Sequence, residues 1–151
     1  MPPYIDRVPG RAILQSLHEM KHESAFYIAV RDAQKRDPRY AVPGYVFLCD
    51  ALAHTLKLIG REDAENRHVA GPELLAGFRD LALREFGPMA LCVLRDWGIT
   101  RSEDVGNMVY LLINAGYFGK NETDSIEDFS DGVSLEEALT KPFRPAKSME
   151  W

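Results

Sequence analysis

Residues 18–22 of this 151-residue sequence are His-Glu-Met-Lys-His, which matches the H-E-x-x-H pattern of zinc proteases. In that pattern two imidazoles on one helical face bind the metal, and the glutamate acts as a general base. Here the apolar stripe through Ile13 and Leu17 places His18 and His22 on the opposite, solvated face of the helix. No third ligand follows at a family spacing. His18 and His22 are therefore the metal candidates, but we predict neither a bound metal nor a cofactor.

Two short motifs carry the functional groups of an anion site. Arg67 and His68 precede Gly71-Pro72, where a helix is predicted to begin and its N–H groups would attract an anion. Arg39 and Tyr40 end an Asp-Pro-Arg-Tyr turn within a modestly basic patch. Each motif also has a structural interpretation. Arg67 and His68 could hold their loop to the rest of the protein by hydrogen bonds, and Arg39 and Tyr40 could stabilise their turn by a salt bridge and a packed tyrosine ring. These four side chains are the candidate ligand-binding residues, provided that they share a pocket.

Asp50 and His54 stand four residues apart on a predicted helix, where they could polarise one another. No serine or cysteine at a strained turn accompanies them, and the sequence has no phosphate-binding glycine loop, dinucleotide fingerprint or calcium loop. We therefore expect His54 to be a buried histidine with its hydrogen bonds satisfied. No residue is predicted to be catalytic, which favours a non-catalytic role and leaves the enzyme question open.

The charge of the chain is concentrated in one segment. The formal net charge is -5, and residues 121–137 contain seven acidic side chains and no basic one. This acidic run predicts either a solvated loop or a docking surface for a basic partner. The rest of the chain is nearly balanced, which disfavours broad binding to phosphate backbones.

Composition excludes several classes of protein. Hydrophobic residues make up 46% and charged residues 27%, as in soluble globular domains. No apolar run approaches the roughly 20 residues of a membrane span, and the N-terminus shows no secretory signal. Cys49 and Cys92 lie among apolar neighbours on predicted helices, so we expect reduced, structural thiols in a cytoplasmic protein.

Helical periodicity dominates the sequence, and proline and glycine punctuate it. We predict a mainly α, compact single-domain helical bundle over residues 1–141, followed by a tail at 142–151. About six helices are expected, among them 25–36 (if Ser24 is an N-cap, otherwise joined to the stretch before it), 45–59, 72–86, 89–97, 102–115 and 135–140. The helix at 45–59 is so apolar that it should be central and surrounded by others. Residues 117–130 would form a small β-hairpin, giving a winged-helix-like segment, or an irregular loop.

The order of several motifs resembles a known family. They are Asp-Pro-Arg-Tyr at 37–40, Arg-His-Val-Ala-Gly at 67–71, Phe-Gly-Pro-Met-Ala at 86–90, Trp-Gly at 97–98, Ser-Glu-Asp-Val-Gly at 102–106 and Asp-Ser…Asp-Phe at 124–129. Over about residues 31–137 the chain resembles the planctomycete–verrucomicrobial restricted conserved hypothetical family of small bacterial proteins. The resemblance implies a compact, mostly helical, cytoplasmic protein, and it brings no established activity, ligand or catalytic residue.

Three classes of function follow from these observations. The favoured hypothesis is a non-catalytic protein-interaction or adaptor module, because no catalytic set is complete and one segment is strongly acidic. The second is a nucleic-acid- or ribosome-associated protein, because 89–97, 102–115 and 117–130 have helix–turn–helix–wing order. The third is a small-anion binder or enzyme around Arg67 and His68. The identity of a partner and the oligomeric state do not follow from the sequence.

Overall fold

The computed structural model of the chain describes residues 24–61, 69–119, 129–130 and 132–144. Within these ranges the backbone is mainly helical and has no β-strand, which confirms the predicted helical class. Residues 24–36 form a leading helical segment. Five further helices have both ends described: α1 (Val42–Leu58), α2 (Gly71–Phe86), α3 (Ala90–Asp96), α4 (Ser102–Asn114) and α5 (Leu135–Thr140). None of the helices described is long and apolar enough to cross a membrane.

The finer architectural predictions are not confirmed. Residues 120–128, the middle of the segment 117–130, lie outside the described ranges, so the hairpin has no support from the structure. The count of about six helices and the division into a domain at 1–141 and a tail at 142–151 also stay predictions.

Proline sets the ends of several helices. Pro43 and Pro72 lie in the first turns of α1 and α2, where an N–H group is not needed for helical hydrogen bonds. The leading segment ends at residue 36, just before Asp37-Pro38, because proline disfavours the helical conformation of the residue that precedes it. Ser24 is itself helical, so the alternative in which Ser24 is the N-cap is wrong.

The packing of α1 against α2 forms the centre of the core. The ring of Phe47 in α1 packs edge-on against Phe78 in α2, with 5.0 Å between the ring centroids. The backbone of α2 at Gly77 lies very close to Thr55 of α1. A Cβ atom on Gly77 would overlap Oγ1 of Thr55. Glycine at position 77 therefore allows the two helices to approach, and each buried phenylalanine contributes about 1.5–3 kcal/mol of burial free energy.

Two expectations about burial are corrected. Helix α1 is not enclosed on all sides by the described residues, because Val46 is 38% exposed and Leu58 is 54% exposed. Cys92 is exposed although its neighbours are apolar. The seven-residue helix α3 buries Ala90, Leu91 and Leu94 on one face, and Cys92 falls outside that face.

Candidate functional site

The structure tests only part of the predicted sites. Arg67 and His68 lie outside the described residues, and so do the metal candidates His18 and His22. Within the described ranges no group of three or more His, Cys, Asp or Glu side chains is placed to hold a metal ion. The shared pocket of Arg39, Tyr40, Arg67 and His68 therefore stays a prediction.

The Asp-Pro-Arg-Tyr turn is held by an arginine salt bridge and a packed tyrosine, which was the structural alternative to a ligand site. Arg39 Nη2 donates to Asp37 Oδ2 at 2.7 Å, and its Nε donates to Oδ1 at 2.9 Å. The hydrogen bond from the Arg39 side chain holds the pKa of Asp37 below its usual value. The Arg39 side chain remains 54% exposed, whereas Tyr40 is fully buried. Arg39 is thus the accessible member of this pair, and Tyr40 is part of the core.

Tyr40 is held by a buried hydrogen-bond network that reaches the start of α4. Its hydroxyl donates to Asp104 Oδ1 at 2.6 Å and accepts from Asn107 Nδ2 at 3.2 Å. The other oxygen of Asp104 accepts from the backbone N–H groups of Thr100 and Arg101 at 2.9 and 3.0 Å. Asp104 thus caps α4 and anchors Tyr40 with the same carboxylate.

The charge of Asp104 is stabilised although the residue is 2% exposed. Burial by itself would raise the pKa of Asp104, but the hydrogen bonds from Tyr40, Thr100 and Arg101 hold that pKa below its usual value. Burial and the hydrogen bond to Asp104 raise the pKa of Tyr40, so the phenol keeps its proton. These groups stabilise the fold and are not poised for proton transfer at neutral pH.

A second buried tyrosine provides a matched comparison. Tyr45 is also fully buried and its ring lies 6.4 Å from that of Tyr40, but its hydroxyl has no hydrogen-bond partner in the described part of the chain. Burial raises the pKa of Tyr45 to about 12.

Phenylalanine substitutions at these two positions are expected to have different effects. Tyr40→Phe should lower the free energy of unfolding by about 1.5–3 kcal/mol, because Asp104 loses a buried charged hydrogen bond. Tyr45→Phe should leave it unchanged or raise it by about 1 kcal/mol, because an unpaired buried hydroxyl is removed. Urea unfolding of both variants measures the difference. Equal losses would contradict the assignment of Asp104 as the specific partner of Tyr40.

His54 is hydrogen-bonded, as expected, and its partner comes from the neighbouring helix. Its Nε2 atom lies 2.7 Å from Oδ2 of Asp80 in α2. Arg84 Nε donates to the same carboxylate at 2.7 Å. The His54 side chain is 19% exposed, so the residue is only partly buried, and its hydrogen bond is to Asp80, whereas the alternative of the sequence analysis was polarisation by Asp50. The pair joins α1 to α2 and stands at the edge of their interface.

Asp80→Asn is expected to reduce stability only slightly. The hydrogen bond with His54 holds the pKa of Asp80 below its usual value, so its contribution is present at neutral pH and is lost as the pH falls below about 4. Because the side chain is 38% exposed, we expect a loss of no more than about 1 kcal/mol at pH 7. Asp32→Asn, in an exposed pair with Arg36, is the control. Urea unfolding at pH 7 and at about pH 3 should show a smaller difference between wild type and Asp80→Asn at the lower pH, where the carboxylate begins to be protonated.

An open groove of about 440 Å³ lies beside the start of α1. Its apolar lining includes Tyr27, Val46, Phe47, Phe86 and Trp97. We call this groove, including the carboxylates of Asp50 and Glu85 that also line it, the aromatic groove. The rings of Phe47, Phe86 and Trp97 form a mutual cluster with centroid distances of 5.4–5.7 Å. Tyr27 is 49% exposed. The aromatic groove thus brings apolar side chains from several elements to one concave, accessible surface.

Two carboxylates, Asp50 of α1 and Glu85 of α2, also line the aromatic groove. Burial and the negative charge of Glu85 raise the pKa of Asp50. No described basic side chain lies within salt-bridge distance of either carboxylate. The aromatic groove therefore combines an apolar lining with uncompensated negative charge.

A second cavity of about 410 Å³ lies between the starts of α4 and α5. It is lined mainly by polar residues, among them Arg101, Glu103 and Glu136. Three of the N–H groups near it already have acceptors: Asp104 accepts from Thr100 and Arg101, and Ser134 Oγ accepts from Glu137 N in α5. Acids and satisfied donors make this cavity a poor anion site.

The sequence does not predict the aromatic groove. The helix at 45–59 is expected to be surrounded by others, and Asp50 is considered only as a neighbour of His54. The available signal was Val46 with Asp50, an apolar and an acidic residue four positions apart on one helical face.

The fold and these sites define a mainly helical protein with an apolar, acidic groove. In comparisons with known proteins, the chain matches no family model, no curated protein and no solved structure.

Proposed function

We propose that the protein is a non-catalytic interaction module that binds a segment of a partner protein in the aromatic groove. The segment presents apolar side chains to Val46, Phe86 and Trp97, in the way that an amphipathic helix fills a hydrophobic groove. Binding there removes exposed apolar surface from water, which is the main driving force for protein association.

The aromatic groove itself is the observation that supports this proposal. Its aromatic residues come from four separate parts of the chain, and large aromatic side chains in a concave site supply much of the binding energy at interfaces. Outside it, Tyr40 is hydrogen-bonded to Asp104 and His54 to Asp80, and neither of these pairs of described residues joins a nucleophile to a base.

The test uses a displayed library of random peptides of about 12 residues, long enough for three helical turns. Selected peptides are then measured against Val46→Lys, which places a charged chain in the aromatic groove, and against Val133→Lys. Val133 is a matched control because it is 45% exposed, close to the 38% of Val46, and lies elsewhere.

Val46→Lys should weaken the selected peptides by at least about tenfold, since a lysine would have to be desolvated or displaced, whereas Val133→Lys should change affinity by less than about twofold. Selecting no peptide that distinguishes the two variants would overturn the proposal. That result is also expected if another part of the chain or a second copy fills the groove.

The other two classes of function have less support. The helix that would read DNA, α4, carries Glu103 and Asp104 and no lysine or arginine, and its outward-facing surface is small. Phosphate recognition needs basic groups at such a position. The polar cavity beside α4 contains acids, which also disfavours a small-anion binder at that place.

The proposed module would work in the cytoplasm, where its thiols stay reduced. Cys49 and Cys92 are both free, and an exposed free thiol such as Cys92 suits a reducing compartment. Burial raises the pKa of Cys49 to about 11, so this thiol is unreactive. We also propose that the protein belongs to the planctomycete–verrucomicrobial family, that it has six helices and that residues 117–130 form a hairpin.

A further inference from the structure

We propose that the aromatic groove selects a basic amphipathic segment, one of whose lysine or arginine side chains lies between Asp50 and Glu85. This inference rests on the proposed function and adds the chemistry of the partner. An apolar lining alone would accept any greasy peptide, whereas the two carboxylates discriminate by charge.

Asp50 and Glu85 line one groove without a described basic partner, whereas several other acids on the surface have one. Asp37, Asp80 and Glu73 each lie within 3.2 Å of a basic side chain of the same chain. For Asp50 and Glu85, no described basic residue takes that place. Their charge is therefore available to a group that comes from outside the described residues.

The two carboxylates destabilise the unbound protein because they repel each other. They come from adjacent helices and face the same groove, and their mutual repulsion contributes to the raised pKa of Asp50. Like charges beside an apolar surface are destabilising, and a cation placed between them relieves that repulsion. A neutral occupant would cover the carboxylates and increase the cost, so the aromatic groove disfavours purely apolar partners.

The aromatic cluster lines the same groove as the two carboxylates. The methylene stem of a lysine or arginine can lie along Phe86 and Trp97 while its charged end reaches Asp50 or Glu85. Aromatic faces also attract the cation itself, most strongly when it is partly removed from water. The lining thus fits both halves of a long basic side chain.

The experiment compares Asp50→Asn/Glu85→Gln with Asp96→Asn/Glu103→Gln. Both double variants remove two negative charges, but Asp96 and Glu103 do not line the aromatic groove. The probes are peptides selected on wild-type protein from the random library, together with copies in which the basic residue is replaced by neutral citrulline or norleucine.

We expect the selected peptides to combine a lysine or arginine with apolar residues. Asp50→Asn/Glu85→Gln should weaken them about tenfold, and the control variant should weaken them less than about twofold. The neutral peptide should bind the wild type about tenfold more weakly, with little further loss on the Asp50→Asn/Glu85→Gln variant, because both changes remove the same interaction.

The outcomes separate this inference from the proposed function. Peptides without a basic residue that still depend on Val46 would overturn the basic selectivity and leave the interaction module standing. Basic peptides affected equally by both double variants would also overturn it, since only the overall charge would matter. Selection of no groove-dependent peptide would overturn both proposals.

Discussion

Replacing Asp104 by alanine is expected to lower the free energy of unfolding by about 3–5 kcal/mol. The substitution would leave the Tyr40 hydroxyl without its carboxylate acceptor and remove the acceptor of the Thr100 and Arg101 N–H groups. Because a domain of this size is stable by only about 5–15 kcal/mol, the loss should lower the melting temperature by roughly 10 °C. Urea unfolding and calorimetry measure both quantities.

Glu103→Ala is the matched control for this prediction. Glu103 is the neighbouring acid in the first turn of α4, and its side chain has no hydrogen bond or ion pair within the described ranges. Its removal should cost less than about 1 kcal/mol, mainly through the helix dipole. Similar losses for the two variants would show that Asp104 acts only as a first-turn charge and does not anchor Tyr40.

Asp104 also gives the prediction a pH dependence. Its pKa is lowered in the folded protein, so its contribution is fully present above the ordinary carboxyl range and is lost as the pH falls through the lower, folded value. The free energy of unfolding of the wild type should therefore fall between about pH 5 and pH 2 more steeply than that of Asp104→Asn. Parallel pH profiles would contradict the lowered pKa.

The network of Asp104 also supports the aromatic groove. Tyr40 stands directly before the chain enters α1, and the backbone N–H of Ala41 donates to the carbonyl oxygen of Trp97 at 3.1 Å. The same short segment is thus held by α4 on one side and by the end of α3 on the other. Loosening Tyr40 should therefore disturb Trp97 and the groove that it lines.

Local signals in the sequence predict several helix ends. Proline in a first turn and Asp37-Pro38 after a helix act within a few residues, so Pro72 and the end at residue 36 could be predicted without knowledge of the tertiary structure. The predicted start at residue 45 is three residues late, because α1 begins at Val42 and contains Pro43 in its first turn. The arginine-held turn at Asp37 and Arg39 is local in the same sense, and the structure contains it.

Partners distant in the chain could not be predicted in the same way. Nothing in the sequence marks Asp104 as the partner of Tyr40, because the two residues are 64 positions apart. His54 is expected to be hydrogen-bonded, but its spacing indicates only Asp50 as a neighbour, whereas its partner Asp80 comes from the next helix, 26 positions away. Periodicity shows which face of a helix is apolar, but not whether a neighbouring helix covers it.

The aromatic groove is the clearest case of this limit. Phe47 and Trp97 are core-like residues by type, and only their placement beside the exposed Val46 opens a surface. The two carboxylates come from helices that the sequence gives no means of aligning. A helix-by-helix prediction therefore reaches the fold class and misses the site.

Gly98→Ala is expected to destabilise the protein by more than about 3 kcal/mol. Gly98 has φ +89°, a conformation that costs a residue with a Cβ atom about 1–2 kcal/mol. In addition, a Cβ at this position would overlap the carbonyl oxygen of Arg39. Backbone atoms cannot rotate away as a flexible side chain does, so the Arg39–Tyr40 segment would have to shift.

Gly60→Ala is the control that separates the conformational cost from the clash with Arg39. Gly60 also has a positive φ, +71°, but a Cβ there would meet nothing within 4 Å. Gly60→Ala should therefore show the conformational cost alone, about 1–2 kcal/mol, and the excess loss in Gly98→Ala measures the clash with Arg39. If the clash displaces the segment, Gly98→Ala should also change the fluorescence of Trp97, whereas Gly60→Ala should not. Equal losses and unchanged fluorescence would mean that the segment before α1 accommodates the methyl group and is not held tightly between α3 and α4.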